Sequence, residues 1–203
     1  SMYFLRPRSR EDLIRRTQAH ALIADFGCGV LGRSPDAGAG SVTGMTMQPE
    51  ILDAHGGHKD HLLAMWQQMR REDEFLVYAI LPPQGGRDPK FYEGSGRQVP
   101  ALRVTKETDA GVVLNGMKML ATNAAFANQI MIGNILPLAP DQLKESVSAI
   151  IPPNLKGLSL WARKSFEREV VEAFDHPFTA RFDESDCMLV FQDVLVPWER
   201  VFV

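Results

Sequence analysis

Two periodicities divide this chain. In its first part, apolar residues recur every three or four positions, the spacing of one face of a helix. Leu13, Ile14, Thr17, Ala21, Leu22 and Ala24 follow that rule. Ser9 is placed to cap the helix, and Asp12, three residues on, can reach back to a free backbone amide. The helix should end near Gly27 or Gly29. A second helix is expected from Lys59 to about Ala79, with Leu62, Met65, Trp66, Met69 and Leu76 as its apolar stripe. Between the two, the segment from Gly32 to Asp36 reads as a loop shaped by Pro35, and the glycine- and alanine-rich run from Ala37 to Gly44 as a mobile connection. Pro82, Pro83, Gly85, Gly86 and Pro89 then exclude helix.

After that the period changes. The stretch from Ala101 to Asn134 reads as three consecutive strands. Leu102, Val104 and Thr105 suit the first, and Asp109-Ala110-Gly111 turns the chain. Val112, Val113 and Leu114 begin the second, with a turn or bulge at Asn115-Gly116. Gln129 to Ile132 supplies the third. Ala121-Thr122-Asn123-Ala124-Ala125 makes a small-residue corner before it, where a planar ligand can approach the backbone or an ordinary meander can bend. Further strand-like runs are Ser146 to Ile151, Leu158 to Trp161, Met188 to Phe191 and Val194 to Val196. Helices followed by strands predict an α+β fold.

Composition narrows the function classes without naming one. The chain has 203 residues, 45% hydrophobic and 23% charged, values of a globular protein. A net charge of −3 gives no reason to expect nucleic acid. No apolar run is long enough to cross a bilayer. The two cysteines, Cys28 and Cys187, lack CxxC spacing and fit a reducing cytoplasm as packing residues. His55, His58 and His61 follow at intervals of three, but Gly56-Gly57 disfavours the helix that would align them, so no metal is expected.

Four stretches then take on meaning together: PRSREDLIRR from Pro7, GRSPD from Gly32, ETDAGVVLNGMKMLATNA from Glu107, and DHPFTARFDESD with LVFQDVLVPWERVF in the tail. Their order and spacing resemble the oxygenase components of the 4-hydroxyphenylacetate 3-monooxygenase family. The resemblance implies the acyl-CoA dehydrogenase type of fold. Residues 1–80 would be the end of an N-terminal helical domain. Residues 81–203 would form an antiparallel, β-barrel-like central domain, and the C-terminal helical domain would lie outside the chain. It also implies a reaction: hydroxylation of a phenol ortho to its hydroxyl, using O2 and reduced FAD supplied by a separate flavin reductase. The full-length form would be a homo-oligomer, with no membrane partner.

Carried over residue by residue, the resemblance gives Arg33 and Tyr78 the catalytic positions. Arg33 stays charged at any relevant pH and suits a phenolate. Arg33, Ala37, Tyr78 and Asn134 would line the substrate. Gln84, Arg87 and Thr122 would contact the flavin. Ala37 and Tyr78 depart from the family's usual Tyr and His, and Ala37 has no hydrogen bond to give. Two other readings share the fold. One is a non-catalytic truncated paralogue or interaction module. The other is a 4-hydroxybutyryl-CoA dehydratase-like enzyme, whose iron–sulfur cluster would need several thiolates near Cys28.

Overall fold

The computed structural model describes residues 2–28, 37–54, 57–84, 100–169, 172–182 and 185–202. Helix α1 spans Arg10–Phe26 and starts where expected: Ser9 Oγ accepts from the Asp12 amide at 3.1 Å, and the Asp12 carboxylate accepts from the Arg8 amide at 2.9 Å. It ends at Gly27, whose amide bonds the Ile23 and Asp25 carbonyls. Its apolar positions are not core: Leu13 is 53% and Leu22 70% exposed.

The run expected to be mobile is instead helix α2, Ala37–Met45, which buries Gly38, Ala39, Val42 and Thr43. Its glycines, Val42 and Thr43 lower intrinsic helix propensity, but its small residues permit close packing, and packing prevails. A Cβ on Gly38 would sit 2.3 Å from the Leu76 carbonyl oxygen, so only glycine lets α2 lie this near the sheet. Short α3, Glu50–Ala54, leads to α4, Lys59–Glu72. That helix is shorter than its pattern suggested. Asp73 adopts a left-handed conformation (φ 51°) and stops it, and Leu76–Ala79 becomes strand β1. The β-branched and aromatic character of Val77 and Tyr78 favours that outcome.

Strands β2 (Arg103–Thr108), β3 (Gly111–Thr122) and β4 (Gln129–Ile132) match the three expected between Ala101 and Asn134. β5 (Ala149–Ile151), β6 (Leu158–Ala162) and β7 (Asp186–Pro197) complete the set. The apolar runs either side of Gln192-Asp193 are thus one long strand, bulged where Asp193 takes a φ of 51°. Opposite that bulge, pairing between β3 and β7 shifts at Leu114/Gly116. Asn115 holds the junction, donating to Asp193 Oδ1 at 2.8 Å and accepting from the Asp193 amide at 3.0 Å.

The strands form two open sheets that do not close into a barrel. One has the order β1-β4-β5, the other β2-β3-β7-β6. Pairing is antiparallel except for β1 with β4, which is parallel. The sheets share a core that includes Ala79, Ile130 and Ile132 from the first and Leu114, Leu189 and Phe191 from the second. The helices cover the other face of the first sheet, where Leu76 and Ile150 join Phe4, Val42, Leu62, Met65, Trp66, Met69 and Phe202. The layers run helices, three-stranded sheet, four-stranded sheet. Among the described residues, no further layer covers the outer face of the four-stranded sheet.

Candidate functional site

Cross-strand register decides which side chains share that uncovered face. Directly opposed residues point the same way, and so do residues two apart on a strand. Thr122 opposes Asp186, and Met188, two residues along β7, opposes Trp161 of β6. These four therefore form one row. Trp161 is 62% exposed, although an indole is normally covered by its own domain. The Thr122 hydroxyl donates to Asp186 Oδ1 at 2.5 Å, which leaves its oxygen lone pairs to accept a hydrogen bond. Asp186 also pairs with Arg163, Nε to Oδ2 3.7 Å, so it ties β3 and the end of β6 together.

The small-residue corner is sharper than its composition suggests. Leu120 has a φ of 59° and is 47% exposed, while Asn123 has a φ of 61°. Pairing shifts again between Lys118 and Ala121. A bulge of this kind redirects side chains, and a non-glycine residue at positive φ carries strain that the surrounding packing must hold. The single turn Ala124–Phe126 follows, with Phe126 73% exposed. The corner thus presents apolar surface beside one hydroxyl.

Leu81 makes an antiparallel bridge with Met119, whose amide donates to the Leu81 carbonyl at 2.9 Å. Read outward from that bridge, the Tyr78 end of β1 runs alongside the Thr122 end of β3. Tyr78 alternates with buried Val77 and Ala79, so it points to the helical side of its sheet, the side on which α2 lies. Ala37 is the first residue of α2. Ala37 and Tyr78 therefore lie on the helical side of the first sheet, whereas Thr122 lies on the outer face of the second. Gln84 is exposed just beyond the bridge. Asn134 lies elsewhere, past the end of β4, with its amide held between Lys118 Nζ (2.8 Å) and the Glu145 carbonyl (2.8 Å). Arg33 and Arg87 lie outside the described residues, as does His55. His61 Nδ1–H donates to the Val201 carbonyl at 3.0 Å and its ring stacks on His58, which gives those histidines structural work.

The family model for the 4-hydroxyphenylacetate 3-hydroxylase N terminal matches residues 1–203. The chain belongs to this family. The oxygenase component of 4-hydroxyphenylacetate 3-monooxygenase from Thermus thermophilus is 33% identical over 204 residues, covering 100% of this chain and 41% of the relative. The oxygenase component of a 4-nitrophenol 2-monooxygenase from a Rhodococcus is 32% identical, covering 98% of this chain and 38% of the relative. The chain thus spans about two fifths of the length of these relatives. Among solved structures, a 4-hydroxyphenylacetate 3-monooxygenase oxygenase component complexed with FAD and 4-hydroxyphenylacetate matches with a TM-score of 0.81. It is 32% identical, and the match covers 100% of this chain and 41% of that one. An archaeal 4-hydroxybutyryl-CoA dehydratase matches at a TM-score of 0.77 with 18% identity, which shows a shared fold alone. Cys28 is exposed after α1, whereas Cys187 is buried opposite Ala121.

One residue escaped sequence reasoning. Lys118 sits between Met117 and Met119, and its charge alone suggests a solvated side chain. In the structure it is buried between two half-buried methionines. Lys118 opposes buried Leu189, points between the sheets and is 2% exposed. Its Nζ donates to the Gly133 carbonyl at 2.6 Å and to Asn134 Oδ1 at 2.8 Å. Burial pushes its pKa down to about 8. The available signal was the alternation itself: Lys118 has the same parity as buried Val112 and Leu114, which carries it to the inner face.

Proposed function

We propose that this chain supplies one wall of the flavin and substrate cleft of a phenol-hydroxylating oxygenase component that uses reduced FAD and O2. The family match over residues 1–203 carries the reading. The uncovered face fits the cofactor. A tricyclic ring needs a flat apolar surface with a polar group at its rim, and Trp161, Met188 and Leu120 beside Thr122 offer that combination. The Thr122 oxygen, its own proton held by Asp186, would be free to accept a hydrogen bond from a ring N–H. Gln84 and Arg87 would complete the cofactor contacts.

Bound reduced FAD would supply activated oxygen. The protein's part is to hold the phenol, stabilise charge on its oxygen and exclude water. Arg33 would do the second, because a guanidinium stays cationic and favours phenolate. Tyr78 would donate a hydrogen bond from the α2 side of the sheet, and Ala37 leaves space where a longer side chain would contact the guest. The word component in the relatives' names points to a separate partner, which we take to be a flavin reductase. A homo-oligomer in the cytoplasm accords with this reading.

Calorimetric titration of the protein with reduced FAD under anaerobic conditions tests the proposal. Thr122→Val keeps the shape and removes the acceptor, so affinity should fall about tenfold, the value of one hydrogen bond of ~1.4 kcal/mol. Trp161→Ala should weaken binding at least as much. Unchanged affinity in both variants would overturn the assignment of this face.

A further inference from the structure

We propose that Asp186 makes the flavin wall selective for the reduced form of the cofactor. It does so by holding the Thr122 proton, so that this hydroxyl can accept a hydrogen bond and cannot give one. Asp186 is a positioning residue on this account, which rests on the flavin reading above: it acts through Thr122.

Contacts from two sides fix the carboxylate. Oδ1 takes the Thr122 hydroxyl proton at 2.5 Å, and Oδ2 faces Arg163 Nε at 3.7 Å. The backbone is pinned as well. The Asp186 carbonyl accepts from the Arg163 amide at 2.9 Å, and the Ser185 carbonyl accepts from the Asn123 amide at 2.7 Å. Asp186 and Thr122 are also direct cross-strand partners. Strand β7 thereby delivers the carboxylate to the hydroxyl, while Arg163 offsets its charge. The Asp186 side chain is 30% exposed on the uncovered face, so a ring laid over this row would shut water away from the pair.

The direction of the bond follows from the groups. An ionised carboxylate has no proton to give, so Thr122 donates. A hydroxyl carries one proton and two lone pairs. With the proton committed, only lone pairs face a ligand. A flavin reads that difference. In the oxidised isoalloxazine, one nitrogen of the central ring has a lone pair and accepts. Reduction by two electrons and two protons puts a hydrogen on that nitrogen, which then donates. Thr122 therefore suits the reduced ring as acceptor to donor, and opposes the oxidised ring lone pair to lone pair. The mismatch costs the oxidised form one hydrogen bond and leaves a polar edge desolvated. A freely rotating hydroxyl would serve both forms. Charge alone would act the other way, because the reduced ring is the form that readily becomes anionic and a nearby carboxylate disfavours it.

Calorimetric titration with oxidised FAD, set beside the anaerobic titration with reduced FAD, tests the proposal. The unmodified protein should bind the reduced form about tenfold more tightly, the value of one hydrogen bond. Asp186→Ala frees the Thr122 proton, so affinity for oxidised FAD should rise about tenfold while that for reduced FAD holds. Asp186→Asn keeps the shape and should give a ratio between the two. The two-electron potential of bound FAD is a second readout: Asp186→Ala should lower it by about 30 mV, the equivalent of tenfold. Equal binding of the two forms by the unmodified protein would overturn the proposal, whether or not a variant folds. So would a wild-type ratio in both Asp186 variants; if Thr122→Val still weakens reduced FAD, the flavin reading then stands without it. If Thr122→Val leaves reduced FAD binding unchanged, the flavin reading falls and the assignment of Asp186 falls with it.

Discussion

Replacing Trp66 with alanine should lower the unfolding free energy by about 3–5 kcal/mol, a large share of the ~5–15 kcal/mol that holds a typical domain folded. Trp66 is 5% exposed and joins three elements. Its Nε1–H donates to Thr43 Oγ1 on α2 at 3.1 Å, and Thr43 in turn donates to the Tyr3 carbonyl at 3.2 Å. The Arg6 guanidinium lies 4.3 Å from the indole centroid and the Arg70 guanidinium 5.4 Å. Truncation leaves a cavity between α4 and α2 and removes the donor to a buried hydroxyl oxygen. Trp66→Phe keeps most of the volume and loses the donor, so it should cost only ~1–2 kcal/mol. Urea unfolding followed by circular dichroism would measure both. Because α2 begins at Ala37 and packs on β1, the alanine variant should also loosen the helical side of the proposed cleft.

The second large effect is a dependence on pH. Lys118 titrates near 8 in the folded protein and near its ordinary 10.5 when unfolded. Between these values the unfolded chain binds the extra proton, so stability rises with pH. The contribution is fully present above 10.5 and is lost as pH falls through 8. At ~1.4 kcal/mol per unit, the span amounts to about 3 kcal/mol. Lys118→Met removes the titration. Its unfolding free energy relative to wild type should therefore drop by about 3 kcal/mol between pH 7 and pH 10.5, a difference in which the other titrating groups cancel. Parallel urea titrations across that range would measure it. A constant difference would mean that Lys118 is better solvated than its 2% exposure indicates.

Much of the architecture is legible in the residues because local signals and tertiary packing agree. The Ser9 cap, the bulge at Asn115-Gly116 and the small corner at Thr122 are short-range features, and each lies where its chemistry places it. The failures are places where distant packing decides. Nothing local in Ala37 to Gly44 announces a helix; the close approach to Leu76 does. The stripe through Met69 and Leu76 continues past the helix because Leu76 faces the same helical core from strand β1. Leu13 and Leu22 keep helical spacing yet remain exposed, since spacing reports a face and not what covers it. Lys118 keeps the parity of buried Val112 and Leu114, but its charge reads as solvated until the Gly133 carbonyl and Asn134 are seen to take its protons. At the candidate site, motif resemblance named Tyr78, Ala37 and Thr122, but only the pairing of Leu81 with Met119 shows that β1 runs alongside β3 there. The partnership of Thr122 with Asp186 spans 64 positions and had no sequence signal.

The central claim is that the outer face of the four-stranded sheet is a flavin wall. Amide and indole chemical-shift mapping with increasing FAD tests it most directly. The account predicts shifts concentrated at Leu120–Asn123, the Trp161 indole and Asp186–Met188, and reduced by Thr122→Val. Shifts confined instead to the hollow around Val104, Val112 and Trp198 near the other end of β3, or no shifts at the Thr122 row at saturating FAD, would contradict it.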